Sequence, residues 1–230
     1  MPNPPATTPT SPELTTATAG AAPAAPREAA VGAGSLARSA IPVPPRQRFP
    51  LRLNIKRVLW AVAWRTIFRT CPRPIHFWRN WVLRAFGAKL HPTARVCPTA
   101  RIWAPWNLVM HEHAAIGEHT DIYSVDTITL GACSTVSQYS YLCTASHDFE
   151  DPDHPLITAP ITIGAKAWVA ADVYVGPGVT IGQGTVVGAR SSVYKDLPPW
   201  VLAVGNPARP VRPRVFKRPP GGPGGATATI

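Results

Sequence analysis

The residue types that most often bind metals or transfer protons are concentrated in two short stretches of this 230-residue chain. The first stretch, HEHAAIGEH, contains His111, His113 and His119, and imidazole is a common zinc ligand. His113 and His119 are six residues apart, and aliphatic residues in this chain recur with that same period. Equivalent positions of successive repeats project from different faces, so these two side chains cannot share one ion. No metal site within a single chain is therefore predicted.

The second stretch, SHDFEDPDH, places His147 beside a run of carboxylates. The run could bind a cation, although such a run is more often part of a solvated loop. A lone histidine is likewise most often a solvated or a core side chain, so its position in the fold must decide its role. The carboxylates belong to Asp148, Glu150, Asp151 and Asp153.

A six-residue repeat must position both stretches. In the second half of the chain, aliphatic residues recur every six positions, and the next residue is small in five of six cases. This period fits neither a helix of 3.6 residues per turn nor a simple alternating strand. It fits a coil in which each hexad forms one short face and turns a corner, where crowded backbone demands a small residue. The aliphatic positions are Ile163, Val169, Val175, Ile181, Val187 and Val193.

The same register continues upstream, with two extra residues after every third hexad. Fifteen positions in one register predict an all-β solenoid of about five triangular rungs over residues 89–212, rather than unrelated strands of a sandwich or barrel. Between Leu142 and Ile163 the third corner is fifteen residues longer than a hexad. Function is to be sought in this single long loop, which contains His147. The upstream positions are Leu90, Val96, Ile102, Met110, Ile116, Ile122, Leu130, Val136 and Leu142.

Residues 49–88 predict two basic amphipathic helices, 51–70 and 74–87, with Gly87 as the C-cap of the second. The helices either cover the open N-terminal end of the solenoid or lie in a membrane interface, and different faces could do both. Trp60, Trp64, Ile67 and Phe68 share the apolar face of the first helix, and Ile75, Trp78, Val82 and Phe86 share that of the second.

Composition predicts disordered tails at residues 1–48 and 213–230, where Pro, Ala, Thr and Gly dominate and large apolar residues are rare. The net charge of +11 is concentrated in the basic flank between Arg46 and Arg95, which contains no acidic residue. Such a flank favours anionic partners such as membrane headgroups or phosphorylated substrates, and no nucleic-acid motif is present.

The cysteines and the N-terminus predict a cytoplasmic protein. No CxxC or paired spacing is present, which is typical of reduced thiols, and no signal peptide is recognised. The most apolar window, residues 58–68, is too short to cross a bilayer. A peripheral position at the inner membrane face stays compatible with these observations. The four cysteines are Cys71, Cys97, Cys133 and Cys143.

The chain from the first predicted helix to Arg212 resembles hexapeptide-repeat acetyltransferases. The closer likeness is to the colanic-acid-biosynthesis acetyltransferases of bacterial exopolysaccharide clusters, and a more distant one is to galactoside and maltose acetyltransferases. The resemblance implies a left-handed parallel β-helix that forms a homotrimer with active sites between subunits. The matching segments are RIWAPWNL (101–108), SQYSYLCTASHD (137–148), PLITAPITIG (155–164), PPW (198–200) and GNPAR (205–209).

The resemblance also implies transfer of acetyl from acetyl-CoA to a hydroxyl of a nucleotide-linked or lipid-linked sugar. His147 matches the position of the general base, which takes the proton of the attacking hydroxyl. A carbonyl or a carboxylate should fix its tautomer, and Asp148 is a candidate by proximity. Ser124 or Asp126 would hold the acceptor, where the sugar acetyltransferases use an asparagine.

Cofactor contacts in those families fall on Ala171, Ala189, Tyr194, Lys195 and Arg209 of this chain. Ala171 replaces the usual serine, so a contact there must come from its backbone N–H, which could stabilise an oxyanion. Lys195 and Arg209 could bind the CoA phosphates, or could be solvated surface cations.

Three other functions stay open at this point. A β-helix acyltransferase could take its acyl group from acyl carrier protein, which would dock on the basic flank. A non-catalytic trimeric scaffold could sit on the membrane surface. A γ-class carbonic anhydrase, which has the same fold, would bind zinc with histidines from two subunits.

Overall fold

The structure is a computed structural model that describes residues 50–72 and 74–216. The predicted tail 1–48 lies outside the described residues, as does the predicted tail 213–230 apart from its first four residues. None of the helices within the described ranges has the length and hydropathy of a membrane span.

Three parallel sheets form the three faces of a β-solenoid. The first sheet contains β1 (Lys89–Leu90), β4 (Leu108–Met110), β7 (Ile128–Leu130), β12 (Ile161–Ile163) and β15 (Thr180–Ile181). The second contains β2 (Arg95–Val96), β5 (Ala115–Ile116), β8 (Thr135–Val136), β13 (Trp168–Val169), β16 (Val186–Val187) and β18 (Val201–Gly205). The third contains β3 (Arg101–Ile102), β6 (Asp121–Tyr123), β9 (Tyr141–Cys143), β14 (Tyr174–Val175) and β17 (Ser192–Val193).

Two antiparallel pairings interrupt the solenoid. Strand β10 (Ala145–His147) pairs with β11 (Leu156–Thr158) inside the long loop, and β19 (Ala208–Pro213) pairs with β18. The first corner joins the first sheet to the second, and the second corner joins the second sheet to the third. The third corner leads from the third sheet to the first sheet of the next rung.

The predicted core is confirmed, because all fifteen register positions are buried along the axis of the solenoid. The number of turns differs from the prediction. Leu197 bridges to Ile181 and β18 pairs with β16, so a sixth, partial turn follows the five complete rungs. Leu197 comes only four residues after Val193, and this shortened spacing hid the sixth turn from the hexad count. The left-handed sense of the coil stays a prediction from the resemblance.

The small residue after the aliphatic position has the predicted cause at the first corners of the later rungs, where it faces the backbone of the next rung. A Cβ on Gly164 would lie 2.5 Å from the backbone nitrogen of Gln183, and one on Gly182 would lie 2.4 Å from that of Pro199. Both distances are far below van der Waals contact. The close stacking of rungs therefore requires glycine at these corners.

The N-terminal helices are α1 (Leu51–Ala63), which continues as a π-helical turn at Trp64–Phe68, and α2 (His76–Ala85). Gly87 follows α2 with φ of +95°, as a C-terminal cap requires. A short 3₁₀ turn at Pro105–Asn107 lies at the third corner of the first rung.

The buried helix faces differ in part from the prediction. Trp60 and Phe68 are buried as expected, but Ile67 and Trp78 are exposed. In α2 the polar residues Arg79 and Asn80 are buried instead, beside Val82 and Leu83. The reason lies in the hydrogen-bond direction of the solenoid.

In the second rung, carbonyls such as those of Met110, Ala114 and Ile116 accept backbone N–H groups of the first rung. The equivalent carbonyls of the first rung have no preceding rung, so they point out of the N-terminal end. Buried carbonyls without donors are costly. Side chains of the helices satisfy five of them, which makes the helices a polar cap as well as an apolar one. The pairs are Arg84 with Leu90, Asn80 with Ala94, Arg79 with Val96, Trp64 with Ala100 and Trp60 with Ile102.

The packed chain extends to Phe216, four residues past the predicted boundary at 212. The Arg214 guanidinium donates to the carbonyl oxygens of Gly184 at 2.7 Å and Lys166 at 3.0 Å, and it lies over the Phe216 ring. These contacts tie the end of the described chain to the first corner of the last rungs.

Candidate active site

The long loop at the third corner is a β-hairpin. In the β10–β11 pair, Ala145 faces Thr158 and His147 faces Leu156, so His147 lies at the tip end of the hairpin. The end of the hairpin nearest the solenoid is fixed because the Ala159 N–H donates to the Thr144 carbonyl oxygen at 3.0 Å. The sequence predicted the loop but not its pairing. The hairpin gives His147 a regular backbone support while leaving its side chain exposed.

A backbone carbonyl sets the tautomer of His147. Its Nδ1 lies 2.6 Å from the carbonyl oxygen of His154, across the hairpin tip. A carbonyl oxygen can only accept, so Nδ1 carries a proton, and in the neutral ring Nε2 is the nitrogen with the lone pair. This is the state that a general base requires.

The Asp148 carboxylate stabilises the hairpin tip and makes no hydrogen bond to His147. Asp148 Oδ1 accepts the Glu150 N–H at 3.0 Å, and Asp151 Oδ1 accepts the Asp153 N–H at 2.9 Å. The acidic run thus forms two side-chain turns. No group of three or more potential metal ligands (His, Cys, Asp or Glu) occurs within the described ranges.

The two predicted acceptor residues at the third corner have different environments. Ser124 is fully buried, and its hydroxyl both donates to the Ala104 carbonyl oxygen at 3.0 Å and accepts the Ala104 N–H at 3.1 Å. The backbone therefore uses both the donor and the acceptor of the Ser124 hydroxyl, and of the two candidates Asp126 is the more accessible. Asp126 is half-buried, and its N–H donates to Thr144 Oγ1 at 2.9 Å, which places it beside the base of the hairpin.

Two of the predicted cofactor residues, Ala171 and Ala189, stack on adjacent rungs at the second corner. The Arg190 N–H donates to the Ala171 carbonyl oxygen at 3.0 Å, and the Asp172 N–H donates to that of Gln138 at 3.0 Å. Within the described part of the chain, the N–H groups of Ala171 and Ala189 donate to no carbonyl. The corner therefore has a column of two backbone donors, Ala171 and Ala189, that no carbonyl of the described residues uses.

The other three predicted cofactor residues flank this column. Arg209 is exposed on β19, and the turn before it is held to the second corner because the Gly205 N–H donates to Ser191 Oγ at 3.0 Å. Tyr194 and Lys195 are exposed at the end of the third sheet, in the same rung as Ala189. The Tyr194 ring lies 5.5 Å from that of Tyr174.

One chain does not bring the base and the column together. His147 extends from the third corner, whereas Ala171 and Ala189 occupy the second corner, at the opposite end of the third sheet. Parallel rungs hold these corners at a fixed separation. His147 and the second corner therefore lie at different edges of the third sheet.

A groove of about 770 Å³, which the sequence did not predict, lies between α1 and the outer surface of the third sheet. The Arg57 guanidinium lies 4.2 Å above the Trp103 ring, and Arg101 forms an ion pair with Asp121 at 3.3 Å. Burial raises the pKa of the Asp121 carboxyl, and the Arg101 charge opposes that rise. The aromatic signal in the third strands could have revealed this groove. Its other lining side chains include Trp64, Arg65, Tyr123 and Tyr141.

Burial, together with a hydrogen bond to the Cys143 thiol, raises the pKa of the Tyr141 hydroxyl well above its ordinary value. Burial also raises the pKa of Tyr174. Both hydroxyls therefore stay neutral at physiological pH. Aromatic faces beside arginines suit a sugar ring that carries phosphate.

Known proteins share this architecture. The family model described as bacterial transferase hexapeptide (six repeats) matches residues 160–195. A protein of Escherichia coli K12 named as a colanic acid biosynthesis acetyltransferase, WcaF, is 47% identical over 161 residues, which cover 70% of this chain and 88% of the relative.

Two solved structures extend the likeness. A maltose O-acetyltransferase from Clostridium difficile 630 has a TM-score of 0.66 and 25% identity, and the match covers 73% of this chain and 90% of that one. A hexapeptide-repeat acetyltransferase of Vibrio cholerae O1 biovar eltor, complexed with acetyl-coenzyme A, has a TM-score of 0.66 and 25% identity, with 74% and 94% covered.

The coil with one enlarged corner defines the class of hexapeptide-repeat transferases. Within that class, the chain belongs to the hexapeptide-repeat acetyltransferase family that includes the colanic acid biosynthesis acetyltransferases.

Proposed function

We propose that the protein is a homotrimeric O-acetyltransferase that moves acetyl from acetyl-CoA to a hydroxyl of an exopolysaccharide sugar or its precursor. The observation that carries the proposal is His147, whose Nδ1 proton is held by the His154 carbonyl and whose Nε2 is available as a base. The name of the Escherichia coli relative supports the substrate class, and the acetyl-CoA complex of the Vibrio cholerae structure supports the donor.

The reaction proceeds by direct transfer in a ternary complex. The acceptor hydroxyl oxygen attacks the thioester carbonyl carbon while His147 Nε2 takes the hydroxyl proton. The negative charge that develops on the carbonyl oxygen is stabilised by the Ala171 N–H at the second corner. The C–S bond then breaks, and the imidazolium returns its proton to the departing CoA thiolate. No cysteine or serine lies in a nucleophile motif, so a covalent acyl-enzyme is not part of this scheme.

Each active site combines two subunits. The column at Ala171 and Ala189 comes from one subunit and His147 comes from its neighbour, because one chain holds them at different corners. A contact between two different surfaces closes into a ring under threefold symmetry. Tyr194 packs along the cofactor, and Lys195 and Arg209 bind its phosphates.

The acceptor occupies the groove beside α1, with Asp126 near the base of the hairpin. The rings of Trp103, Tyr123 and Tyr141 offer stacking surfaces for the sugar, and the arginines offer charge for a diphosphate group. The groove and the hairpin both adjoin the third sheet, so an acceptor in the groove extends toward a histidine.

Turnover of acetyl-CoA on a panel of nucleotide-linked and lipid-linked sugars tests the proposal. His147→Ala is expected to lower kcat by about 10²- to 10⁴-fold, since the general base is lost, with little change in the KM for acetyl-CoA. His113→Asn, which alters another exposed histidine outside the site, is the matched control and should retain activity. Undiminished activity of His147→Ala would exclude His147 as the base. Acyl transfer from acyl carrier protein, with none from acetyl-CoA, would exclude the donor.

A further inference from the structure

The two helices use only their inner face to cap the solenoid. Their outer face is apolar and exposed. Along α1, Leu51, Ile55, Leu59 and Val62 follow the helical spacing of one stripe and are all exposed. In α2 the exposed rings of Trp78 and Trp81 stack at 5.1 Å between centroids. Monomeric soluble surfaces rarely expose so many large apolar residues together. This outer helix face consists of Leu51, Ile55, Leu59, Val62, Ile67, Phe77, Trp78 and Trp81.

The charge around the outer helix face has one sign. No acidic residue lies between residues 50 and 111, and the nearest in the chain are Glu28 and Glu112. Arg52, Lys56, Arg65 and Arg69 are exposed along the first helix. The face therefore combines an apolar stripe with a cationic border.

We propose that the outer helix face binds the surface of an anionic lipid bilayer, with both helices lying in the plane of the interface. The apolar stripe enters the boundary between headgroups and acyl chains, tryptophans favour that depth, and the basic border contacts anionic headgroups. Long basic side chains can keep their charges at the headgroups while their stems lie against the apolar surface.

The charge pattern favours a bilayer over a second copy of the chain. Two copies joined by this face would bring their basic borders together, and like charges at an interface oppose association. The segments outside the described ranges provide little complement, because residues 1–49 contain two acidic residues and residues 217–230 contain none. An anionic bilayer supplies both the apolar depth and the opposite charge.

The position of the bilayer also determines how an acceptor can reach the groove. This step rests on the proposed function. The side of α1 that bears Arg57 and Ala61 lines the groove, while its outer stripe faces the lipid. A sugar attached to a membrane lipid through a diphosphate can then enter the groove without leaving the bilayer. The lipid binding itself requires no catalysis and is tested separately.

The test is co-sedimentation of the full chain with vesicles of phosphatidylcholine, with and without about 30% phosphatidylglycerol. Binding is expected only with the anionic lipid. Val62→Glu should weaken it about tenfold or more, since an apolar contact is replaced by a charge. Val211→Glu on β19 is the matched control, because Val62 and Val211 are exposed to 56% and 55% and both changes lower the net charge equally. This control should bind as the wild type does, and thermal unfolding should show both variants folded.

Three results would overturn the inference. The wild type could fail to bind anionic vesicles in about 0.1 M salt, where charge attraction is still effective. Val62→Glu and Val211→Glu could weaken binding equally, which would assign it to net charge alone. Val62→Glu could abolish a self-association seen without vesicles while leaving vesicle binding intact, which would make the face a contact between copies. Loss of acetyl transfer in His147→Ala with unchanged vesicle binding would leave both proposals standing.

Discussion

The regular coil on one side, and the helical cap and the β10–β11 hairpin on the other, use side chains in opposite ways. In the coil, aliphatic side chains fill the axis and small residues leave room for the neighbouring rung, and the N–H groups of Ala171 and Ala189 donate to no carbonyl of the described residues. In the cap and the hairpin, individual side chains matter, such as Arg79 on a carbonyl of the first rung and His147 at the hairpin tip. The comparison indicates that a repeat yields a regular backbone surface, whereas the individual polar side chains that could do chemistry lie where the repeat is broken or ends.

The largest expected effect tests whether coil and hairpin act from different subunits. His147→Ala removes the base, and Ala189→Trp fills the second corner where the cofactor would lie, so each variant alone should lose most activity. Co-expressed, the two should form mixed trimers in which some sites combine an intact histidine with an intact corner. Random mixing predicts recovery of roughly a quarter of wild-type activity under threefold symmetry.

Acetyl-CoA turnover of the purified mixture checks this, with each variant expressed alone as the control. Mixed trimers, demonstrated by two affinity tags, that show no recovery would contradict a site shared between subunits. Activity of Ala189→Trp alone would remove the second corner from the cofactor site.

The sequence predicted the regular coil well because its cause is geometric. A hexad that turns a corner must place one aliphatic residue inside and one small residue against the next rung, so Ile163 and Gly164 carry the pattern directly. The stacking of rungs then follows from backbone hydrogen bonds, which do not depend on the side chain. The sixth turn was not predicted because the six-residue spacing shortens before Leu197.

The cap and the hairpin were predicted less well because their causes are not local. Nothing in the pattern of α2 marks Arg79 as buried, since its partners are carbonyls that exist only at the open end of a coil. The carbonyl of His154, which holds His147, is a backbone atom without a sequence signal. Ser124 has a residue type that suits a sugar contact or a backbone bridge equally, and the fold uses it as a bridge.

The next largest effect concerns the cap. Arg79→Met should lower the free energy of unfolding by about 3 kcal/mol, because the carbonyl of Val96 loses its donor in a buried hydrogen bond and that of Pro72 loses its donor in a partly buried one. Arg52→Met, at an exposed position of α1, is the control and should change it by less than about 0.5 kcal/mol. Urea unfolding measures both. Equal stability of the two variants would mean that the end carbonyls need no cap.

A smaller effect concerns the coil itself, where two similar glycines should respond with opposite sign. Gly164→Ala should destabilise by about 2 kcal/mol, because the new Cβ would lie 2.5 Å from the Gln183 nitrogen and the rungs must shift. Gly176→Ala meets its nearest atom at 3.4 Å and should stabilise by about 0.5 kcal/mol through the unfolded chain. Thermal unfolding compares them. Stabilisation by both changes would show that rung spacing adapts freely.

The smallest effect lies where the coil meets the cap, at Asp121. Burial raises the pKa of its carboxyl, so the folded protein holds that proton to a higher pH than the unfolded chain does. Ionisation of Asp121 therefore costs folding stability as the pH rises through the raised pKa, and Asp121→Asn removes that cost. Between pH 4 and pH 7 the stability of the variant should improve relative to the wild type, by less than about 1 kcal/mol because the side chain is partly solvated.

Thermal unfolding at the two pH values measures this change, with Asp172→Asn as the control, which breaks the more exposed pair with Arg190. A relative gain of the wild type over Asp121→Asn with rising pH would mean that attraction to Arg101 outweighs burial. Asp121 would then behave like the solvated ion pairs on the outer surface of the coil. The effect of burial beside the cap would not extend to its carboxyl.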